Sequence, residues 1–310
     1  MVSRSDRSHR AWPEGRRSEL GLELGLLVVL SFLWGGSFAL IKIAVQSIPP
    51  LTVVAARVLV AAVVLALVAR APAMPLQALS GAFLIQGILQ SALPFALISW
   101  GEQYIDSGVA GLLNSTPPLF VFLITYFITR HEPATGRKLG GVLVGATGVA
   151  LIIGVDTLAG LGRQVMAQLA MVGAAASYAC AAIYGRRFAP LPPLVTAASA
   201  MVATAALVVP ASLIVDEPWT LRPSLEATAA VLALGLFSTA LAMLIYFRLL
   251  QTLGSLGTAS GGYLRAGFSV LLGVMLLGEP FTLPLALGLI LIIVGVGLIN
   301  GPQSCRLPGR

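Results

Sequence analysis

The sequence predicts an all-α membrane protein of ten transmembrane helices, built as two inverted five-helix repeats. Three observations predict it. Of the 310 residues, 57% are hydrophobic and only 10% are charged, and the mean hydropathy is +0.94. A soluble domain needs about 25% charged residues to cover its surface, so most of this surface must face lipid. The apolar residues also fall into runs long enough to cross the bilayer, which takes roughly 20 helical residues for about 30 Å of hydrocarbon. Finally, a segment in the middle of the chain recurs near its end.

The first 19 residues are polar and carry Arg4, Arg7, Arg10, Arg16 and Arg17. They read as a disordered cytoplasmic tail. The apolar run behind them is too long for a signal peptide and ends in Lys42 rather than a small-residue cleavage site. Ten spans follow, at 24–45, 51–69, 78–99, 105–129, 138–155, 166–185, 192–215, 227–247, 254–278 and 282–300. Turn chemistry separates most of them: Pro49-Pro50, Ala71-Pro72, Glu132-Pro133, Pro192-Pro193, Glu217-Pro218 and Glu279-Pro280. The connectors at 99–105 and 247–254 are very short. Residues 301–310 form a second cytoplasmic tail.

Ten spans place both ends on one side, and the basic residues indicate which. With the N-terminus inside, the inner segments hold the five tail arginines, Arg70, Arg130, Arg137, Lys138, Arg186, Arg187, Arg248, Arg306 and Arg310, against Arg163 and Arg222 outside. That asymmetry is a positive-inside signal. It also accounts for the net charge of +7, so nucleic acid is not an expected partner; the lipid bilayer is.

Segment 131–154, HEPATGRKLGGVLVGATGVALIIG, aligns without gaps to 278–301, GEPFTLPLALGLILIIVGVGLING, with nine of 24 positions identical. The informative matches are Glu132/Glu279, Pro133/Pro280, Gly141/Gly288, Gly148/Gly295 and Gly154/Gly301. Trp34 to Lys42 also runs parallel to Tyr178 to Arg186, aromatic to basic at the same spacing of eight. The chain therefore reads as a first repeat over 24–155 and a second over 166–300. Because five spans is an odd number, the second repeat enters the membrane upside down. Inverted repeats are the architecture of secondary transporters, with the binding site near the midplane where the repeats meet.

The stretch LWGGSFALIKIAV, the Glu-Pro turns after spans four and nine, and the glycine-spaced helices behind them resemble the EamA-type tandem-repeat members of the drug/metabolite transporter superfamily. The resemblance covers 24–300. It implies ten helices, a bacterial-type inner membrane, alternating access and export of small molecules, without fixing a substrate. Span nine, YLRAGFSVLLGVMLLGE, resembles a family segment that usually carries a proline where Ala266 stands and an apolar residue where Arg265 stands.

Arg265 lies near the middle of span nine, where a cation costs ~2.5–3.5 kcal/mol on insertion scales. It should face a wet cavity or a partner; its planar fork suits a carboxylate or phosphate, or it is pinned to backbone groups. Arg57 sits about two turns into span two, and Lys42 ends span one, where it binds substrate or reaches to headgroups. With no acidic residue expected inside any span, these three cations predict an electropositive cavity for carboxylate-bearing molecules. The same absence leaves no proton relay, so exchange or facilitated diffusion is expected over proton antiport. Gln86 and Gln90 share one face of span three, for substrate or for hydrogen bonds between helices, and Pro94 behind them is a hinge candidate. Asn114 precedes Pro117-Pro118, a second hinge candidate, where a break frees backbone groups to line a cavity. Trp34, Tyr178, Tyr246 and Tyr263 are candidates to stack on a substrate or to pack. The glutamates of the Glu-Pro turns are expected to cap the helices that follow them.

Other chemistry fits poorly. GGVLVGATGVALIIG lacks the preceding strand that a nucleotide loop requires, and its glycines suit close helix packing. No span contains a histidine, as an intramembrane serine protease would require. Cys180 and Cys305 are isolated, and no metal-ligand cluster or cofactor motif occurs. The reading is a secondary transporter exporting small organic metabolites, not an enzyme, with no cofactor and no metal. Monomer or homodimer is left open. A multidrug or cation exporter is the alternative within transport, and a lipid flippase or membrane scaffold is the alternative outside it.

Overall fold

The computed structural model describes residues 14–69, 80–124, 126–127, 136–153, 163–253, 258 and 261–300. The remainder of both predicted tails, the turn holding Glu132 and Pro133, and the side chain of Tyr263 lie outside the described residues. Every regular element among the described residues is helical. In chain order they are α1 (Glu14–Ala44), α2 (Pro50–Ala69), α3 (Gly81–Gly101), α4 (Ser107–Leu113), α5 (Pro117–Ile124), α6 (Gly136–Ile153), α7 (Arg163–Gly185), α8 (Pro193–Val215), α9 (Leu225–Thr252), α10 (Gly261–Leu277) and α11 (Leu283–Asn300).

Among the described residues, seven helical stretches are long and apolar enough to span a membrane: α1 from Gly21, α2, α3, the α4–α5 pair, α7 with its 3₁₀ extension to Phe188, α8 and α9. Shorter apolar helices occur at Leu139–Leu151, Leu264–Leu277 and Leu283–Gly295. Large apolar side chains stand on the outside of the bundle, with Leu67 70% and Ile214 78% exposed. Such a surface is stable only against hydrocarbon. α1 starts at Glu14, so 14–19 of the predicted disordered tail are helical.

Two long helices change pitch. α3 contains a π-helical turn at Ile88–Ala92, just before Pro94. The wider turn accommodates a residue that cannot donate to the ladder and would otherwise clash with the preceding turn. α9 has a longer π segment, Leu234–Leu241, in which the Thr239 hydroxyl donates to the Leu234 carbonyl at 2.8 Å. No proline announces that one.

The bundle is held by pairs of helices from different halves. α2 packs on α8, α6 on α11, α1 on α10, α3 on α7, and α4 on α10; α9 contacts α1 and α2. The α6–α11 crossing depends on glycine. A Cβ at Gly295 would meet the backbone N of Gly145 at 2.5 Å and the carbonyl of Gly141 at 2.6 Å. Small residues allow backbones this close, and dispersion then stabilises a contact that lipid could not drive.

Acidic side chains of the second half finish first-half helices at one end of the bundle. Asp216 accepts from the Thr52 backbone N at 2.8 Å and its hydroxyl at 2.7 Å, satisfying the start of α2. Glu279 accepts from the backbone N of Ser107 at 2.6 Å and of Gly108 at 2.9 Å, at the start of α4. The expectation that Glu279 caps the helix after it is thus corrected. Gly278 at φ +66° turns the chain, and the carboxylate meets α4 instead of α11. At the opposite end, Glu23 of α1 receives Arg248 of α9 (Nη2 at 2.9 Å, Nε at 3.2 Å) and the Thr252 hydroxyl at 3.0 Å.

Candidate functional site

The centre of the bundle is made by a broken helix. Pro117 and Pro118 have no backbone N–H, so the carbonyls four residues earlier, Leu113 and Asn114, receive no helical bond from them. Both find other donors. The Thr116 hydroxyl donates to the Leu113 carbonyl at 2.8 Å. The Arg265 guanidinium donates through Nη2 to the Asn114 carbonyl. Asn114 itself is fully buried; its Nδ2 donates to the Met171 carbonyl at 3.2 Å and its Oδ1 has no partner. The break therefore supplies the backbone acceptor that places a buried cation at the junction of α4, α5 and α10.

Two adjoining chambers meet there. The larger spans about 650 Å³, part of it open to solvent, and is lined by Leu30, Ser31 and Trp34 of α1, Gln90 of α3, Pro117 and Val121 of α5, Tyr178 and Ala182 of α7, Tyr246 and Leu250 of α9, with Thr258, Gly261, Gly262 and Arg265. The smaller encloses about 290 Å³, lined by Trp34, Ser37, Phe38, Ile41, Arg57, Phe95, Ile98, Asn114, Tyr178 and Arg265. Trp34, Tyr178 and Arg265 belong to both walls. The larger chamber extends toward the end bearing Glu23 and Arg248. The smaller lies toward the end bearing Lys42 and Glu279.

Arg57 is 2% exposed. Its guanidinium carbon lies 3.9 Å from the centroid of the Phe95 ring, and its Nε donates to the Thr239 hydroxyl at 3.1 Å. The π segment of α9 presents that hydroxyl. A ring face and a neutral hydroxyl hold the cation without neutralising it. Arg265 is 7% exposed, and its buried Nε has no hydrogen-bond partner among the described residues. Among the described residues no carboxylate lines either chamber. Two guanidinia thus share the wall of the smaller chamber, and Arg265 keeps a buried donor unfilled among the described residues; charge acts strongly in such a medium of low dielectric. The larger chamber is mostly apolar and aromatic, and the Trp34 and Tyr246 rings stand 5.5 Å apart between centroids.

The structure thus brings together Arg57, Arg265, Asn114, Gln90, Trp34, Tyr178, Tyr246 and Pro117. It places others elsewhere. Lys42 lines neither chamber; its Nζ donates to the carbonyls of Glu102 (2.9 Å) and Ile105 (2.7 Å). Gln86 is fully buried, with neither amide atom partnered, against Gly185. Pro94 and Pro118 are buried and line no chamber. Glu102, in the short connector just beyond α3 and outside the predicted spans, is 0% exposed; burial of a carboxylate there was not expected. Its short turn folds inward beneath Lys42 rather than toward the surface. Sequence reasoning also missed Thr239 and Ser37; both are small polar residues in apolar runs, and only their depth singles them out. Among the described residues no group of three His, Cys, Asp or Glu could hold a metal.

The family model described as "EamA-like transporter family" matches residues 22–154 and 165–301. The chain is 32% identical over 278 residues to the "Uncharacterized inner membrane transporter YedA" of Escherichia coli (strain K12), covering 87% of this chain and 88% of the relative. It is 27% identical over 290 residues to the "Uncharacterized transporter YvbV" of Bacillus subtilis (strain 168), covering 91% and 92%. It is 32% identical over 165 residues to a "Probable amino-acid metabolite efflux pump" of Escherichia coli (strain K12), covering 53% and 52%. A crystal structure sharing 21% identity superposes with a TM-score of 0.62 over 89% of this chain and 96% of the other, a likeness of fold.

Proposed function

The chain belongs to the EamA-like transporter family, and on that premise we propose that this membrane transporter exports small organic metabolites bearing a carboxylate on an apolar body. The carboxylate docks in the smaller chamber between Arg57 and Arg265, where a planar fork gives paired hydrogen bonds. The apolar part lies in the larger chamber among Leu30, Trp34, Tyr246 and Leu250. The observation that carries this reading is the shared wall: Arg265 stands between an arginine-lined chamber and an aromatic one. The amino-acid metabolite efflux named for one relative is in line with that substrate class and with outward transport.

The architecture proposed is ten transmembrane helices in two inverted repeats, 24–155 and 166–300, with both termini cytoplasmic in an inner membrane. The packing supports it. Exchanging the halves turns the α1–α10 contact into the contact of α7 with α4 and α5, and the α3–α7 contact into α9 on α1. It turns α2 on α9 into α8 on α3, and leaves α2–α8 and α6–α11 unchanged. Trp34 and Tyr178, paired by their spacing in sequence, share both chamber walls. The basic residues favour a cytoplasmic face at the Glu23–Arg248 end. The larger chamber then reaches inward, and the outer end is closed by Lys42, Asp216 and Glu279. Transport proceeds by rocking the halves about the chambers.

Counterflow in proteoliposomes tests the reading, with labelled neutral amino acids, dicarboxylates and tetraphenylphosphonium as probes. Exchange of a carboxylate probe is expected. Exchange of the phosphonium alone would establish a cation exporter instead. Lipid scrambling without exchange of any probe would establish a flippase.

A further inference from the structure

The outer end is closed over a carboxylate that no side chain bonds among the described residues. Glu102 is fully buried, and neither of its carboxylate oxygens has a hydrogen-bond partner among the described residues. The nearby Lys42 ammonium donates to the carbonyls of the turn, Glu102 and Ile105, rather than to the carboxylate. The charges acting on the carboxylate are Lys42 from α1, Glu279 from the turn before α11 and Arg57 from α2. At the end of α3, α7 presents Ala167 and Met171, which do not titrate. Arg163, at the start of α7, lies over the Tyr104 ring of the same turn, 5.9 Å from its centroid, and Asp106 ends the turn partly buried. The seal around Glu102 belongs to both halves, since Glu279 bonds the start of α4.

An ionised carboxylate here would be a desolvated charge with unfilled acceptors, the costliest of buried groups. With a proton it is one neutral polar group. When the halves part, water reaches it and the ordinary preference for ionisation returns. Resting on the carrier reading above, we propose that Glu102 is a proton-binding site that gates the outer end: its carboxyl keeps a proton while that end is sealed and gives it to outer water when it opens. The O–H bond breaks as the end opens and re-forms from outer water as it closes, so no proton crosses the membrane. External acidity favours the sealed state. Burial pushes the Glu102 carboxyl well above the usual carboxylate range, Glu279 adds to that, and Lys42 and Arg57 oppose it.

The reporter is Ser107→Cys in a Cys180→Ser, Cys305→Ser background. Ser107 is fully buried at the start of α4 beneath Glu279. Right-side-out vesicles are labelled with a membrane-impermeant maleimide between about pH 6 and about pH 8, and rates are divided by those of the denatured chain to remove thiol ionisation. One linked proton raises the corrected rate by up to about tenfold per pH unit. Glu102→Gln, permanently uncharged, should stay slow and flat. An equal rise in both proteins, or no rise in either, would overturn the proposal. Infrared difference spectra of the unmodified protein give a second measurement: a protonated-carboxyl band at about pH 7, lost in Glu102→Gln, supports it, and a wild-type spectrum without the band refutes it. Neither readout needs a substrate. If counterflow runs while labelling ignores Glu102, the gate fails and the transport reading stands. If labelling follows Glu102 while no probe exchanges, the substrate class fails instead.

Discussion

Arg265 donates to the backbone carbonyl of Asn114, the carbonyl that Pro118 leaves without a helical partner. One broken helix thus supplies the anchor for a cation on another. The anchor occupies Nη2, and the Nε stays buried without a partner beside both chambers.

Arg265→Ala is expected to abolish counterflow of a carboxylate probe with little loss of stability. The lost hydrogen bond is worth about 1.5–3 kcal/mol, and removing a desolvated charge offsets much of that. Transport and the thermal unfolding midpoint are measured together. Full activity would reject a substrate role, and loss of folded protein would make Arg265 a structural pin.

Pro118→Ala restores a backbone N–H four residues after Asn114, while Pro117 still withholds the one that would reach Leu113. Arg265 then competes with that N–H for its acceptor. Turnover is expected to fall by about tenfold, as for a hinge that absorbs the backbone change of closure. A variant as fast as the wild type would show that the break serves packing alone.

Glu23→Gln removes the charge that joins α1 to α9 through Arg248. Arg248 is 47% exposed, so solvent screening limits the cost to about 0.5–1 kcal/mol. A double-mutant cycle with Arg248→Ala, read by thermal unfolding, should show coupling of that size. Strictly additive effects would show that the pair contributes nothing.

Gly295→Val places side-chain carbon against the Gly145 backbone N, where even a Cβ would stand at 2.5 Å. The neighbour is backbone and cannot rotate away. A loss of about 3 kcal/mol is expected, seen as poor yield or a lowered unfolding midpoint. Gly297→Val, on the same helix with open space at its Cβ, serves as the control and should be near neutral.

The stability of the detergent-solubilised protein should depend on pH through Glu102. Its folded-state pKa is raised, so the folded chain binds more protons than the unfolded one above the ordinary value of about 4.3. Stability is therefore highest below that value, falls as pH climbs toward the raised pKa, and levels beyond it. Thermal unfolding of wild type and Glu102→Gln across this range isolates the contribution, and parallel curves would contradict it.

Much of the fold was legible because lipid imposes a one-dimensional rule. A helix that must satisfy its own backbone and face hydrocarbon advertises itself as an apolar run, and α2, α7 and α8 lie close to the predicted spans. The break at Asn114–Thr116 was readable too, since Pro117-Pro118 removes two donors at fixed places. The π segment of α9 was not, because a one-residue insertion in the hydrogen-bond ladder leaves no mark on composition. Glu102 was not singled out, for a related reason. A short polar connector looks the same in sequence whether it meets headgroups or folds beneath a lysine.

The sequence by itself determined a membrane-embedded helical chain of two similar halves with cations in its apolar spans, since composition, periodicity and charge are local properties. Only the tertiary structure decided which of those cations share a cavity. Arg57 and Arg265 meet across 208 residues of chain while Lys42 turns to carbonyls. The reason is that a buried polar group takes the nearest partner that packing provides, and packing between distant helices is set by shape rather than by order along the chain.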